Sequence, residues 1–427
     1  MMLADQLRAV RARDSHRPVT PKHLISVDEA LTLIKRMAAP AGETETVPIA
    51  KGLGRVLAQP VLSRSMAPSF DNAAMDGYAI SAASLTGNGP WRLNVMGRVA
   101  AGQEATDLSS ANSALRIFTG APIPKGADAV VMQEHVTRIG DFIQLDDRPG
   151  LALNIRRAGS DLCKGALVLN KGVRLGAREL AACVMAGQES VVVRKPLRVA
   201  LLVTGDEVRT IGEIREAAQI WDVNTPMLTA GLALAGVELV ACVHGADNLA
   251  GLTGQLRDMA AIADLVITTG GISVGEEDHV RPALAALGGE LVFSGVAIKP
   301  GKPVSFGHLG SAFWLGLPGN PLSAFVTWHV FGRALVHRLM GEAPHGIAYR
   351  QVVTAKAISR KPGRCEFRPA TIAGFDEYGR EIVTFEDAIQ SACVARLPLA
   401  DGLIFLPADA ETLTTGSLVT FEPFCHS

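Results

Sequence analysis

The 427-residue chain has no CxxC pair among its six cysteines, no apolar run long enough to span a bilayer, and a formal net charge of only -1. The cysteines, Cys163, Cys183, Cys242, Cys365, Cys393 and Cys425, are scattered, and three lie in apolar stretches where cysteine behaves as a small hydrophobe. Neither a zinc ribbon nor a disulfide framework is suggested. A net charge near zero gives no global field toward nucleic acid or an acidic membrane, so any anion must be bound locally. The N-terminal stretch "MMLADQLRAVRARDSHRPVTPKH" carries basic residues with no apolar run behind them. A cytoplasmic protein is expected, with a mobile extension over residues 1–23 and neither a membrane nor a nucleic-acid partner. There is no internal repeat and no low-complexity tract. With 48% hydrophobic and 19% charged residues the chain fits a folded protein. Its length exceeds one ordinary core, which predicts about two to four domains.

Organisation follows from periodicity. "LISVDEALTLIKRMA" predicts an amphipathic helix, with Ser26 as N-cap ahead of Glu29. From Val61 to Asn154 the chain is short on helical periodicity and rich in Gly, Pro and Asn, which predicts a small β domain. "GARELAACVMAG" reads as a helix ending at Gly187 and "ESVVV" as a strand, with a boundary at Lys195 and Pro196. From Leu197 apolar strands alternate with helices: "RVALLVT", "VELVACV", "DLVIT" and "ELVFSGVAI" are separated by "TPMLTAGLALAG", "LAGLTGQLRDMAAIA" and "VRPALAAL". That rhythm predicts a parallel sheet covered on both faces. A helix spans the region from Leu322 to Met340, and "GEAPHG" marks a further boundary. The last eighty or so residues read as a β-barrel or sandwich.

In a doubly wound sheet ligands sit beyond the carboxyl ends of the strands, so the residues that follow each strand carry the chemistry. Gly205, Asp206 and Glu207 follow the first, Asp247 the second, and Gly270, Gly271 and then Glu276, Glu277 and Asp278 the third. The glycines let backbone approach a ligand, and Ser273 with nearby amides can receive an anion. Carboxylates beside a phosphate call for a divalent cation such as Mg²⁺, although each acid alone could equally be a helix cap or a solvated turn. "AIKPGKPVSFG" directs Lys299 and Lys302 to one locality, suited to a compact oxyanion or pyrophosphate, or simply an exposed basic turn. It is not a P-loop, because no Ser or Thr follows the lysine and no earlier glycine is correctly spaced. In "LGLPGNPLSAF", Gly319, Asn320 and Pro321 precede a helix carrying Ser323, whose first amides form a second anion cradle or an ordinary capped connector. The β domain adds Asp71, Asn72 and Asp76 on one loop, Thr119 and Gly120 at a strand end, and Arg156, Arg157 and Asp161, where arginines can fork onto phosphate or be solvated.

Seven stretches in order, "DNAAMDGYA", "TGAPIPKGADAVVMQE", "NIRRAGSD", "TGDE", "TTGGISVGEEDHV", "KPGKP" and "LPGNPLSA", resemble the molybdopterin molybdenumtransferase family, whose eukaryotic relative is the gephyrin E domain. The resemblance runs from about Leu24 to the C-terminus. It implies an α/β plus β fold: a multidomain, elongated subunit with a doubly wound molybdopterin-binding domain and a C-terminal β-barrel. The implied boundaries are 24–60 with 155–195 for an elongated domain I, 61–154 for an inserted β domain II, 196–343 for domain III and 344–427 for domain IV. It implies a homodimer whose active site joins domain III of one subunit to domains I and II of the other. The implied reaction, dependent on Mg²⁺, places molybdate on the dithiolene of adenylylated molybdopterin and releases AMP. Molybdopterin adenylyltransferase, which makes that intermediate, is an implied partner.

By motif, Asp76, Glu207, Asp278 and Lys299 are the implied catalytic residues, with Glu207, Asp247 and Asp278 as metal or nucleotide-pterin ligands. The implied substrate contacts are Thr119, Gly120, Arg156 and Asp161 on the partner side, with Gly205, Asp247, Gly270, Gly271 and Ser273 at the strand ends. Lys302, Gly319, Asn320 and Ser323 are implied around the oxyanion, with Arg368 and Ser391 contributed by the barrel. The chain departs from the pattern at three places. Gly295 stands where many relatives carry a basic residue; "EFRPA" displaces Arg368 by one and puts proline where arginine is expected; and "QSACVARL" keeps only Ser391 of a serine-rich region. These departures keep two further readings open, a tungstate-preferring transferase and a non-catalytic pterin-binding or scaffolding relative. A stand-alone adenylyltransferase is disfavoured, since its strand leads into "TTGGTG" rather than "ISVGEED".

Overall fold

The computed structural model describes residues 24–246, 248–272, 278–343, 349–387 and 391–424. They form two compact units, one of residues 45–193 and one that joins the chain before residue 45 to residues from 194 onward.

In the first unit the β domain is a six-stranded sheet in the order Ala129–Met132, Gly77–Ile80, Ser113–Ile117, Trp91–Val99, Phe142–Leu145, Thr137–Ile139. Neighbours are antiparallel except Trp91–Val99 beside Ser113–Ile117. Strand alternation sends Tyr78 and Ile80 into one apolar cluster and Ala79 into another, so the sheet buries both faces. The rest of this unit packs the helix Ala177–Met185 over two short strand pairs, Thr44–Pro48 with Ser190–Arg194 and Val61–Leu62 with Leu167–Leu169. Val47, Leu57, Cys183, Val191 and Val193 form its core.

The second unit holds the α/β sheet, in the order Val237–His244, Leu197–Val203, Leu265–Thr269, Ala312–Leu317, Ser305–Leu309, Glu290–Ser294. The first four strands are parallel, as the continuous apolar runs require. Ser305–Leu309 is antiparallel to both its neighbours, so the sheet is mixed at one edge where a fully parallel one was expected. "ELVFSGVAI" is not one strand either. Gly295 takes φ +88°, a left-handed turn that ends the strand after Ser294, and Ile298–Lys299 crosses to pair with Cys365 and Glu366 of the terminal sheet. Ala200 and Leu202 pack with Leu252, Leu256, Val280 and Ala283 of the helices Leu249–Ile262 and Val280–Ala286. The helices Asn224–Leu232 and Pro321–Thr327 cover the other face.

The helix Val27–Met37 begins with the expected capping box: Ser26 Oγ accepts from Glu29 N at 3.1 Å, and Glu29 Oε2 from Ser26 N at 2.7 Å. It packs on Arg333–Leu339 and falls in the same compact unit as the α/β sheet. The terminal domain is a closed barrel. Cys365–Phe375 pairs with Glu381–Phe385 and, further along, with Gly402–Leu406; Arg350–Thr354 and Leu418–Pro423 complete the circuit. Among the described residues no disulfide links Cys163, Cys183, Cys242, Cys365 or Cys393. Among the described residues no helix is long and apolar enough to cross a membrane.

Candidate active site

Leu197–Val203, first in chain order within the α/β sheet, lies between the second strand and the third, Leu265–Thr269. The topological switch point therefore falls between Val203 and Thr269, where the loops diverge and leave room for a ligand. A cleft of about 940 Å³ opens there, walled by the residues after Val203, by Gly270 and Gly271, and by Gly319 and Asn320. The glycine pair is required by close packing. Gly270 has φ +87°, and a Cβ on it would lie 2.5 Å from Thr204 Oγ1 and 2.8 Å from the Thr204 carbonyl oxygen. Two bare residues thus give the cleft a floor of backbone, as the sequence led one to expect.

Asp206, Glu207, Asp222 and Asp278 all line the cleft. Glu207 folds its carboxylate back over Gly205, where a Cβ would meet its Oε2 at 2.8 Å. The expected ligands Asp247 and Ser273 lie outside the described residues, as do Glu276 and Glu277. Asn224 ties the walls together: its Nδ2 donates to Thr269 Oγ1 at 2.9 Å and to the Gly319 carbonyl at 2.7 Å. The threonine hydroxyls are committed as well, Thr204 Oγ1 to the Thr269 carbonyl at 3.2 Å and Thr269 Oγ1 to that of Pro318 at 3.0 Å.

On the oxyanion side the expected residues converge but differ in state. Lys299 is bound to Glu366 at 3.2 Å, and Glu366 is buried. Lys302 is exposed, has no side-chain partner among the described residues, and directly precedes Pro303, a cleft residue. Ser391 approaches the start of Pro321–Thr327: its carbonyl accepts from Leu322 N at 3.0 Å and Ser323 N at 3.3 Å, and its hydroxyl from Asn320 Nδ2 at 3.1 Å. The anion cradle expected at these amides is thereby filled by the chain's own carbonyl, and Ser323 is buried. Arg368 is corrected from an expected substrate contact to a core residue. It shares the inner face of its strand with Glu366, donates to it at 3.2 Å and to the Glu386 carbonyl at 3.3 Å, and lies over the Phe385 ring.

The residues of the 45–193 unit form their own constellation. Asp76 Oδ1 accepts from Thr119 N at 2.8 Å and Thr119 Oγ1 at 2.7 Å. The Thr119 amide first, then its hydroxyl, hold the Asp76 carboxyl below the ordinary aspartate range. Gly120 N donates to the Ala73 carbonyl at 2.8 Å, Arg156 pairs across from Asn72, and Asp161 N donates to the Ala67 carbonyl at 3.0 Å. Asp71 binds Arg157 and, at 2.8 Å, Ala158 N. The three motif loops are therefore laced into one surface by backbone pairing, with the side chains of Arg156 and Asp161 exposed.

Three family models match the chain: the MoeA N-terminal region (domain I and II) over residues 25–187, the probable molybdopterin binding domain over 200–338, and the MoeA C-terminal region (domain IV) over 351–424. The molybdopterin molybdenumtransferase of Haemophilus influenzae is 34% identical over 413 residues, covering 94% of this chain and 99% of the relative. The chain belongs to the molybdopterin molybdenumtransferase family. It is an enzyme, a transferase of molybdenum cofactor biosynthesis. The Bacillus subtilis molybdopterin molybdenumtransferase is 31% identical over 404 residues, covering 92% of this chain and 93% of the relative. A crystal structure of the molybdopterin biosynthesis MoeA protein from Pyrococcus horikoshii superimposes with a TM-score of 0.80 at 27% identity, covering 94% of this chain and 100% of that one.

Sequence reasoning missed several residues of this transferase's cleft. Asn224 and Asp222 sit in "WDVNTP", a stretch read only as the approach to a helix. Glu366, buried in the barrel outside the cleft, and Trp221, alone on an excursion from the sheet, carry no local motif that marks them. An acid and an amide flanking a short turn after a strand-rich segment was the available signal for the first pair.

Proposed function

We propose that this transferase places molybdate on the dithiolene of adenylylated molybdopterin and releases AMP, in the Mg²⁺-dependent last step of molybdenum cofactor synthesis. The observation that carries this reading is one cleft that presents a backbone floor at Gly270 and Gly271 and several carboxylates, with Pro303, the residue after Lys302, in its wall. A floor without side chains suits a pyrophosphate, and a free ammonium suits an oxyanion.

The donor set fits Mg²⁺. Carboxylate oxygens are hard ligands, and Mg²⁺ retains several waters while taking one or two carboxylates plus substrate phosphate. Its fit does not rest on a closed cage, since no group of three acids, histidines or cysteines set for a metal occurs among the described residues. Glu207 and Asp278 would hold the ion, with Asp247 as the further expected ligand. When bound it supplies positive charge to the pyrophosphate and its leaving oxygen. The protein's own part is placement. Lys302 draws the oxyanion, Glu366 fixes Lys299 beside it, and Gly270 and Gly271 let the phosphates settle on backbone. Both strand-end threonine hydroxyls are spent on carbonyls, so neither would supply the nucleophile; a water or molybdate oxygen would attack a phosphorus of the pyrophosphate as its bridging P–O bond breaks and AMP leaves.

Asp76, Thr119, Arg156 and Asp161 would contribute substrate contacts in a cytoplasmic homodimer, with molybdopterin adenylyltransferase as the supplier of substrate. Incubating purified protein with Mg²⁺, molybdate and adenylylated molybdopterin should release AMP, and omission of any one should stop it. No release above the protein-free background sinks the proposal, and tight pterin binding without turnover selects a non-catalytic relative. Because Arg368 is buried and Gly295 adds no charge, tungstate is run in parallel; faster AMP release with it selects the tungstate-preferring reading.

A further inference from the structure

The excursion of residues 205–222 leaves the sheet after Val203 and returns through Ile220–Trp221, which pairs in parallel with Val208–Arg209. Backbone bonds on either side of Trp221 fix it in place: Ile220 N donates to the Glu207 carbonyl at 2.7 Å and Asp222 N to that of Arg209 at 2.8 Å. Trp221 lines the cleft and is 38% exposed, and among the described residues no other Phe, Tyr or Trp lines it. Arg215, held by its Nη1 on the Gln219 carbonyl at 2.6 Å, lies 5.5 Å from the ring centroid. A large, partly exposed aromatic residue on a backbone pinned at both sides, with the Arg215 guanidinium as its ring partner, offers a π surface in an otherwise polar cleft. The next residue, Asp222, uses Oδ1 to cap Thr225 N at 2.9 Å and also lines the cleft.

We propose that Trp221 is a stacking platform for the planar bicyclic heteroaromatic ring of the substrate, with the Asp222 carboxylate accepting from the ring's amino edge. The inference rests on the reading given under Proposed function, which supplies a substrate bearing two such rings, adenine and pterin. Both have a π-face and an exocyclic amino donor, so the shared chemistry is what the site recognises. Arg215 sits over one face of the indole, which leaves the other as the proposed stacking face.

The test uses the full-length protein and two probes, AMP and a 6-substituted pterin, with binding followed by tryptophan fluorescence and by equilibrium dialysis. Trp314 and Trp328 are buried and Trp91 belongs to the other unit, so quenching that disappears in Trp221→Phe reports this ring. One probe should quench in the wild type, and Trp221→Ala should weaken its binding on the order of ten- to hundredfold. Trp221→Phe should restore most of the affinity, because it keeps a π-face. Whichever probe responds identifies the ring. In turnover, Trp221→Ala should raise KM for adenylylated molybdopterin and leave that for molybdate unchanged. If both probes bind Trp221→Ala as tightly as wild type, the platform is refuted, whether or not the wild type releases AMP. If the wild type binds a probe through Trp221 yet never releases AMP, the platform stands and the transferase reading falls.

Discussion

Glu366 is 2% exposed and is the meeting point of three cations: Lys299 Nζ at 3.2 Å, Arg368 Nε at 3.2 Å and Arg360 Nε at 3.7 Å. Glu366→Gln removes the charge and keeps the volume. The cost depends on which cation can escape. The Lys299 side chain is 42% exposed and can turn to water, whereas those of Arg360 and Arg368 are each 4% exposed. Arg360 retains carbonyl acceptors at Leu406, Pro407, Arg364 and Ala408. Among the described residues Arg368 keeps the Glu386 carbonyl and the Phe385 ring, fewer acceptors than Arg360, so the penalty concentrates there. Leaving a buried cation without its anion costs about 3–5 kcal/mol.

A chain of several domains does not unfold in one step, so the measurement is native-state hydrogen exchange of the barrel amides. Opening of Glu366→Gln should exceed wild type by roughly two to four orders of magnitude. The double variant Glu366→Gln/Arg368→Met should recover most of that loss, because the stranded charge is gone. Asp387→Asn, which breaks the exposed Lys356–Asp387 pair, should cost less than about 1 kcal/mol. Barrel exchange in Glu366→Gln within tenfold of wild type, or a double variant no better than the single, would refute the argument.

Gly270→Ala forces a Cβ to within 2.5 Å of Thr204 Oγ1 at a φ of +87°, and strain with overpacking should lower stability by about 2–4 kcal/mol and abolish probe binding in the cleft. Thr119→Val deletes the hydroxyl on Asp76 and keeps the amide, so the Asp76 pKa should rise part-way toward an ordinary carboxylate, as read by carbon-13 NMR titration. A depressed folded-state pKa gives stability that is present above the unfolded value and lost as pH falls through the folded one, so the variant should lose this contribution at higher pH than wild type. Glu207→Gln should stop AMP release with circular dichroism and melting unchanged; retained turnover would contradict its role. Light scattering should return about twice the 44.9 kDa chain mass, and a monomer would remove the homodimer.

What was legible in the sequence was whatever local chemistry decides. Ser26 and Glu29 declare a capping box three residues apart, and the β-branched run Leu265–Thr269 between Asp264 and Gly270 reads as a strand buried on both faces. Gly270 and Gly271 mark the strand end because no side chain fits there. What was not legible depends on partners distant in the chain. Nothing near Arg368 indicates that it points into the barrel; that follows from strand parity, which places it on the same face as Glu366. The amides of Leu322 and Ser323 look like an open cradle until Ser391 arrives from the barrel, about seventy residues on.

The oxyanion side consequently carries less free charge than its motifs suggest. Sequence offered Lys299, Lys302, Arg368 and a helix start, four groups that would each favour an anion. Glu366 neutralises the first, the barrel core absorbs the third, and the Ser391 carbonyl occupies the amides of the fourth. Gly295, where a basic side chain could have compensated, is instead bound to its φ of +88° and would drive a Cβ to 2.9 Å from Leu24 Cδ2. A subsite left with Lys302 as its uncommitted cation discriminates among oxyanions weakly by charge. On the function proposed above, selection among tetrahedral dianions would then fall to the dithiolene of the substrate, which distinguishes a sulfur-seeking oxometalate from sulfate by bonding rather than by Coulomb attraction.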